Sequence, residues 1–220
     1  MKNARHLFVA VMGAWMGAAG IEHGVGELMQ GNVAATGIMI RSWPESPFFQ
    51  SLSGEPAMTL IPNLLVTGIL AITFSLLFAG WAIFFSARKS GGVVMILLAI
   101  PMLLFGGGIF PPILGALIGA AAAVCQDKPD SQLTTRLRWR LGKAWRWIFL
   151  ACCIAWLALF PGVAVLGYFF RIDDARVTLA IMLTAFTLLF LSFWSSIQHD
   201  HLGSSLVHSD DWNKTRNKSK

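Results

Sequence analysis

Five long apolar segments constrain this chain more than any other feature of its sequence. A helix needs about 20 predominantly apolar residues to cross the hydrocarbon core of a bilayer. With 55% hydrophobic residues, 13% charged residues and a mean hydropathy of +0.64, the chain is too apolar for an ordinary soluble domain. The sequence predicts a single polytopic domain over residues 1–220, an all-α integral membrane protein. The segments are Leu7 to Met29, Pro56 to Phe85, Gly91 to Val124, Trp147 to Phe170 and Val177 to Gln198.

The central apolar run, Gly91 to Val124, is too long for one crossing. As one helix it would measure about 51 Å, against a hydrocarbon core of about 30 Å. A turn at Gly106 to Pro112 would divide it into a central helical hairpin, either re-entrant or made of two short crossings. We therefore expect four full transmembrane helices plus this hairpin, which gives five to six membrane segments.

The distribution of basic residues favours the hairpin, because short cytoplasmic loops are enriched in lysine and arginine. If the central run turns back, all 17 lysine and arginine residues lie on the cytoplasmic side except Arg41, Arg171 and Arg176. If it crosses once, most of them lie outside. The sequence therefore predicts cytoplasmic N and C termini, in the plasma or inner membrane of a prokaryotic-type cell.

The N-terminal segment has two interpretations. A basic start, the apolar stretch Leu7 to Gly20 and small residues at its end are compatible with a cleaved signal peptide. The apolar character continues beyond Gly20, however, and glycines recur at spacings that place them on one helical face, where two transmembrane helices can approach closely. We interpret the segment as the first span. Its helix-packing residues are Gly13, Gly17, Gly20 and Gly24.

Ionisable residues lie near the outer end of this first span. Glu22 and His23 are about 10 Å inside that end, and Glu27 is near the surface. His23 and Glu27 are four residues apart and can touch. Ionisable groups in membrane segments usually face a bundle interior or a water-filled cavity. The structural alternative is a hydrogen bond that only joins two helices.

Other segments become irregular at a similar depth, at Pro62 in the second span and at the Gly106 to Pro112 turn. Irregular backbone at membrane depth is tolerated only where protein or enclosed water satisfies it. We therefore predict a polar cavity in the outer third of the bilayer, beside this turn and covered by the outer loop of residues 30–55. Its predicted ligand-binding residues are Glu22, His23, Glu27 and Asn63.

A basic cytoplasmic segment, residues 127–146, precedes the fourth span. As a helix, Arg136 to Arg146 would suit contact with anionic head groups, although these charges can also serve only to orient the span. We expect membrane lipids as partners, with a membrane-protein partner or a homo-oligomer as further options. The net charge of +6 is spread along the membrane boundaries, so it does not predict nucleic-acid binding.

Motifs for cofactors and for catalysis are absent from the sequence. It has no zinc-ligand spacing, Walker loop, dinucleotide fingerprint or nucleophile elbow, so it predicts no cofactor and no metal site. The cytoplasmic tail, residues 199–220, contains His199, His201 and His208 near acidic residues. Their spacing is irregular, and whether they bind a metal stays open.

Three classes of function fit these features. The first is binding or transport of a small molecule, an ion or a proton through the polar cavity, by a protein that is not an enzyme. The second is an accessory or assembly subunit of a larger membrane complex, docking through the glycine face. The third is a membrane-embedded enzyme for a lipid-like substrate, with Glu22 or Glu27 as acid or base and His23 as its partner.

Overall fold

The computed structural model describes residues 4–44, 54–124, 135–170 and 174–218, with side chains as far as Leu202 except those of Val124, Thr135 and Ala175. Helices make up about 80% of these described residues. A π-helical turn, Ala158–Gly162, joins the fifth helix to the sixth. The helices in these ranges are α1 (Ala4–Gln30), α2 (Leu64–Phe85), α3 (Gly91–Leu104), α4 (Phe110–Val124), α5 (Thr135–Leu157), α6 (Val163–Phe170) and α7 (Ala175–Lys218).

Four helical stretches are long and apolar enough to cross a membrane. The predicted central hairpin is a pair of shorter helices, α3 with 14 residues and α4 with 15. At 1.5 Å per residue they measure about 21 and 22 Å, which is less than the hydrocarbon core of about 30 Å. The four longer stretches are Ala4–Gln30, Leu64–Phe85, Arg136–Phe170 and Arg176–Leu202.

The chain forms two compact units. The larger unit comprises Val9–Pro129 and Phe160–Thr178. The smaller unit comprises Met1–Phe8, Asp130–Leu159 and Leu179–Lys220. Most of α1 and all of α2, α3 and α4 therefore belong to the larger unit, whereas α5 and most of α7 belong to the smaller one.

Within the larger unit, the glycine face of α1 packs against α2. A methyl group built on Gly17 would lie 2.6 Å from the Cβ of Ala79 and 2.9 Å from the carbonyl oxygen of Ser75. Because no side chains separate them, the two helices approach closely. The face predicted as a docking surface is thus occupied by a helix of the same chain. The other close approaches are Gly13 to Ala82, Gly20 to Ser75 and Met102, and Gly24 to Gly68.

A small β-hairpin follows α1, so the expectation of an all-α protein is wrong in this detail. Strand β1 (Met39–Ser42) pairs antiparallel with β2 (Glu55–Met58). Burial alternates along β1, where Ile40 and Ser42 are buried and Met39 and Arg41 are exposed. Ile40 packs with Ala57 and with Leu64 of α2 in a small apolar core. One face of the hairpin therefore points into the protein.

The second apolar segment was predicted to be helical from Pro56, but its first residues belong to strand β2. Helix α2 begins only at Leu64. Pro62 disfavours helical backbone at the residue before it, and Asn63 then caps the helix, since its side chain accepts a hydrogen bond from the Val66 N–H at 3.1 Å.

The tip of the α3–α4 hairpin is tied to strand β2 and the residues after it. The Gly106 N–H donates to the Met58 carbonyl at 2.8 Å, and the Leu60 N–H donates to the Leu104 carbonyl at 3.0 Å. Gly106 has φ of 91°, a left-handed conformation that glycine adopts without steric penalty. These bonds bring the tip beside the buried face of the β-hairpin.

The smaller unit contains α5, most of α7 and the first residues of α1. The Asp200 carboxylate accepts hydrogen bonds from the backbone N–H groups of Ala4 and Arg5, at 3.0 and 3.2 Å, and so satisfies donors that a helix start leaves open. The rings of Phe8 and Phe193 lie 5.5 Å apart, which adds aromatic packing.

Two predicted boundaries in the smaller unit differ from the structure. The described part of the basic segment, from Thr135 onward, belongs to the same helix as the apolar residues that follow it, so no break occurs at Trp147. Helix α7 likewise continues past Gln198 to Lys218. In the tail, the His199 Nδ1 lies 3.8 Å from the Asp200 Oδ1. The side chain of His208 is outside the described part of the chain.

Candidate functional site

Helix α1 supplies three neighbouring ionisable side chains to the larger unit. His23 is 6% exposed and Glu27 is fully buried, one helical turn apart on the same face. Glu22 is adjacent and partly buried. All three lie in the last three turns of a helix that ends at Gln30.

The β-hairpin places two more polar residues against His23. Ser42 and Glu55 are direct partners in the strand register, so their side chains leave the same face of the hairpin. The imidazole lies between them. Its Nδ1 is 3.2 Å from the Ser42 Oγ, and its Nε2 is 3.2 Å from the Glu55 Oε2.

Ser42 also connects His23 to Glu27. The Ser42 hydroxyl donates to the Glu27 Oε1 at 3.2 Å. In the tautomer with its proton on Nδ1, His23 donates to the Ser42 hydroxyl, which accepts there while it donates to Glu27. The Nε2 lone pair of His23 then faces Glu55. We call Glu22, His23, Glu27, Ser42 and Glu55 the polar cluster.

Two glycines of the α3–α4 hairpin tip close one side of the polar cluster. A methyl group on Gly108 would lie 2.5 Å from the His23 Nε2, and one on Gly106 would overlap the Glu27 carboxylate. Both glycines also have positive φ, 79° and 91°. Glycine is therefore required at each position for its conformation and for the close approach.

Trp43 closes another side. Its indole N–H donates to the Glu22 carbonyl oxygen at 3.2 Å, and a methyl group on Gly26 would lie 2.6 Å from that indole nitrogen. Trp43 has φ of 57°. For a bulky residue this is an uncommon conformation that costs about 1–3 kcal/mol and is often found at functional sites.

Several oxygens of the polar cluster have no hydrogen-bond partner among the described residues. They are both carboxylate oxygens of Glu22 and the Oε2 of Glu27, and all three are buried. One ligand atom each from Glu22, His23 and Glu55 lies within 4.8 Å of the others. Among the described side chains, this is the one group of three or more histidine, cysteine or acidic residues arranged closely enough to hold a metal ion.

The structure brings Glu22, His23 and Glu27 together but places Asn63 elsewhere. The Asn63 side chain caps α2 and donates to the Asn32 side chain at 2.6 Å. Sequence reasoning missed Ser42, Trp43 and Glu55, which it assigned to a covering loop. The sequence signal for a strand there is weak: Ile38 and Ile40 are β-branched, but Ile38 to Ile40 are all apolar and do not alternate with polar residues.

Comparisons with protein-family models, with curated proteins and with solved structures find no match. The class of the protein therefore comes from its own fold and site. It is a helical chain with four helices that are long and apolar enough to cross a membrane, and a histidine-centred cluster of carboxylates lies near one end of the first of them.

Proposed function

We propose that the chain is a multi-pass membrane protein that binds a small cation or a protonated solute at the polar cluster. The observation that supports this most directly is the Glu22 carboxylate, whose two buried oxygens have no hydrogen-bond partner among the described residues. An ionised carboxylate that is buried without a partner costs several kcal/mol, so such a group either takes up a proton or binds a cation or a donor. A bound cation or a donor group on a ligand would satisfy this carboxylate.

Charge balance supports a cationic ligand. The polar cluster contains the three carboxyl groups of Glu22, Glu27 and Glu55 and the imidazole of His23, which supplies at most one positive charge. Ionisable groups inside membrane segments mark ion pathways, proton relays and ligand sites, because burying them without a partner is costly. Transport of the bound cation is the activity that such a site suits.

We infer that the polar cluster lies in the outer third of an inner membrane, with both chain termini in the cytoplasm. Glu22 precedes the end of α1 at Gln30 by about 12 Å. The short helices α3 and α4 would then form a re-entrant hairpin that enters from the cytoplasmic side and reaches the cluster with its tip. In this orientation Arg136 to Arg146 would face the anionic head groups of the inner leaflet.

A hydrolytic enzyme is less well supported, although Ser42, His23 and Glu55 form a serine, histidine and carboxylate row. A nucleophilic serine must reach its substrate, whereas Ser42 is fully buried and its hydroxyl donates to Glu27. A serine-directed covalent probe tests this alternative, and we expect no labelling at Ser42.

An accessory subunit that docks through the glycine face is also less well supported. Gly13, Gly17, Gly20 and Gly24 contact helices of the same chain. A partner would have to displace α2 before it could use that face, and a different surface would be needed for docking.

Native mass spectrometry of the full chain, extracted gently from its own membrane, tests the proposed function. We expect a small adduct on the wild-type protein that is lost in Glu22→Gln, a variant with nearly the same shape but without the charge. Asp174→Asn is the matched control, because Asp174 is exposed and caps a helix start through Arg176. An adduct that survives in Glu22→Gln, or a wild-type protein without any adduct, would contradict the proposal.

A further inference from the structure

We propose that the ligand of the polar cluster is a divalent transition-metal ion of the zinc class, held by the His23 Nε2 and by one oxygen each of Glu22 and Glu55. This inference rests on the proposed function and names the ligand class of the same site. The sequence predicted no metal site, because the third ligand comes from a strand distant along the chain.

The distances within the polar cluster suit such an ion. Zinc binds imidazole nitrogen and carboxylate oxygen at about 2.0–2.2 Å, so two ligand atoms of a tetrahedral site lie about 3.4 Å apart. The His23 Nε2 and the Glu55 Oε2 are 3.2 Å apart. The three ligand atoms lie within 4.8 Å of one another, and the Glu22 oxygen would have to move closer to complete a tetrahedral site.

The hydrogen bonds of His23 orient it as a metal ligand. In the tautomer with its proton on Nδ1, His23 donates to Ser42, which in turn donates to Glu27. A metal-bound histidine almost always uses its other ring N–H in this way, because the bond fixes the tautomer and the ring orientation. Ser42 and Glu27 therefore act as positioning residues, and the Nε2 lone pair of His23 is left for the ion.

Buried oxygens without a partner also point to a ligand in the polar cluster. Glu27 is fully buried, and its Oε2 has no hydrogen-bond partner among the described residues, as is true of both oxygens of Glu22. Two ionised carboxylates, Glu22 and Glu55, would neutralise a divalent ion. A neutral assembly is the form that a buried, weakly polar site tolerates best.

The donor set separates transition metals from calcium and magnesium. Imidazole nitrogen is a common ligand for zinc, copper, iron and nickel, whereas calcium and magnesium prefer sites made of oxygen alone. Three protein ligands leave a fourth position for water or for a ligand that travels with the ion, which is the pattern of open zinc sites.

The test is metal analysis of the full chain, purified through a tag without histidine and then exposed to Zn²⁺ and washed. We expect about one zinc per chain in the wild type, because the three ligands form one site. Glu55→Gln should lose the bound zinc, because it removes a charged ligand. The tail variant His199→Gln/His201→Gln/His208→Gln is the control, because histidines outside the polar cluster can also bind zinc. It should retain the wild-type zinc content.

Ser42→Ala provides a second readout in case Glu55→Gln fails to fold. Loss of a partner that orients a metal-bound histidine typically weakens metal affinity by about 10–100-fold, and competition with a chelator measures that change. Unchanged zinc affinity in both Ser42→Ala and Glu55→Gln would overturn the metal assignment, as would zinc lost only in the tail variant.

The outcomes also separate this inference from the proposed function. A wild-type protein without zinc affinity that carries an organic adduct, lost in Glu22→Gln, overturns the metal assignment and leaves the ligand site in place. A wild-type protein with neither zinc affinity nor any adduct overturns both.

Discussion

The close packing of α1 on α2 predicts a specific effect of adding one methyl group. In Gly17→Ala the new Cβ would lie 2.6 Å from the Ala79 Cβ and 2.9 Å from the Ser75 carbonyl oxygen. The carbonyl belongs to the backbone of α2, so the two helices must separate. Such overpacking costs about 1–3 kcal/mol, and the helix propensity gained on replacing glycine by alanine offsets about 1 kcal/mol of it.

Gly80→Ala is the matched control for this prediction. Gly80 lies in α2, but a methyl group there would have nothing within 4 Å. The propensity gain is the same in both variants and cancels in their difference. We therefore expect Gly17→Ala to be less stable than Gly80→Ala by about 1–3 kcal/mol.

Reversible unfolding of the full chain in mixed micelles, followed by helical circular dichroism, measures the free energy of unfolding of both variants. Because only the difference between the two variants is used, the absolute stability in detergent does not enter. Equal free energies of unfolding for Gly17→Ala and Gly80→Ala would show that the glycine face does not pack as described.

Three further variants probe the surroundings of the polar cluster. Asn63→Ala should lower the free energy of unfolding by about 1 kcal/mol through loss of the α2 cap. Its native mass spectrum should show the same ligand adduct as the wild type, and a lost adduct would show that Asn63 contributes to the site. Gly108→Ala should keep the helical circular dichroism but lose the adduct, because its Cβ meets the His23 Nε2; retention would argue against that contact. Trp43→Phe should lower the free energy of unfolding by about 1 kcal/mol, because it removes one hydrogen bond. An unchanged free energy of unfolding in a denaturant titration would contradict this prediction.

Apolar segment length predicts most of the helical fold, because hydrophobicity and helix length are local properties of the chain. The turn at Gly106 was recognisable for the same reason, since its three glycines and the following prolines interrupt a long apolar run. The start of α2 was not recognised. Apolar residues after Pro56 suit a buried strand as well as a helix, and periodicity does not separate the two over so few residues.

The polar cluster was predicted only on the helix that carries its first three residues. Their spacing along α1 places His23 and Glu27 on one face without any knowledge of the rest of the fold. Ser42 and Glu55 reach that face through strand pairing, and the register of a pairing depends on distant residues. Sequence alone therefore gave the histidine but not the two side chains that lie on either side of it.

The prediction of Asn63 as a site residue depends on where the second helix begins. Its predicted depth assumed a helix from Pro56, whereas the helix begins at Leu64 and Asn63 is its cap. The partners of Glu27 could not be predicted either, because a count along one helix cannot include Ser42 of the β-hairpin and the Gly106 turn, which lie against Glu27.

Nitrogen NMR of the His23 ring tests the central claim most directly. In protein labelled with ¹⁵N-histidine, the resonances lost in His23→Gln identify this residue among the five histidines. The geometry predicts a protonated Nδ1 and an unprotonated Nε2 whose resonance shifts when Zn²⁺ is added. A His23 ring with its proton on Nε2, and no change in either resonance on adding Zn²⁺, would contradict the assignment of His23 as the ligand at the centre of the site.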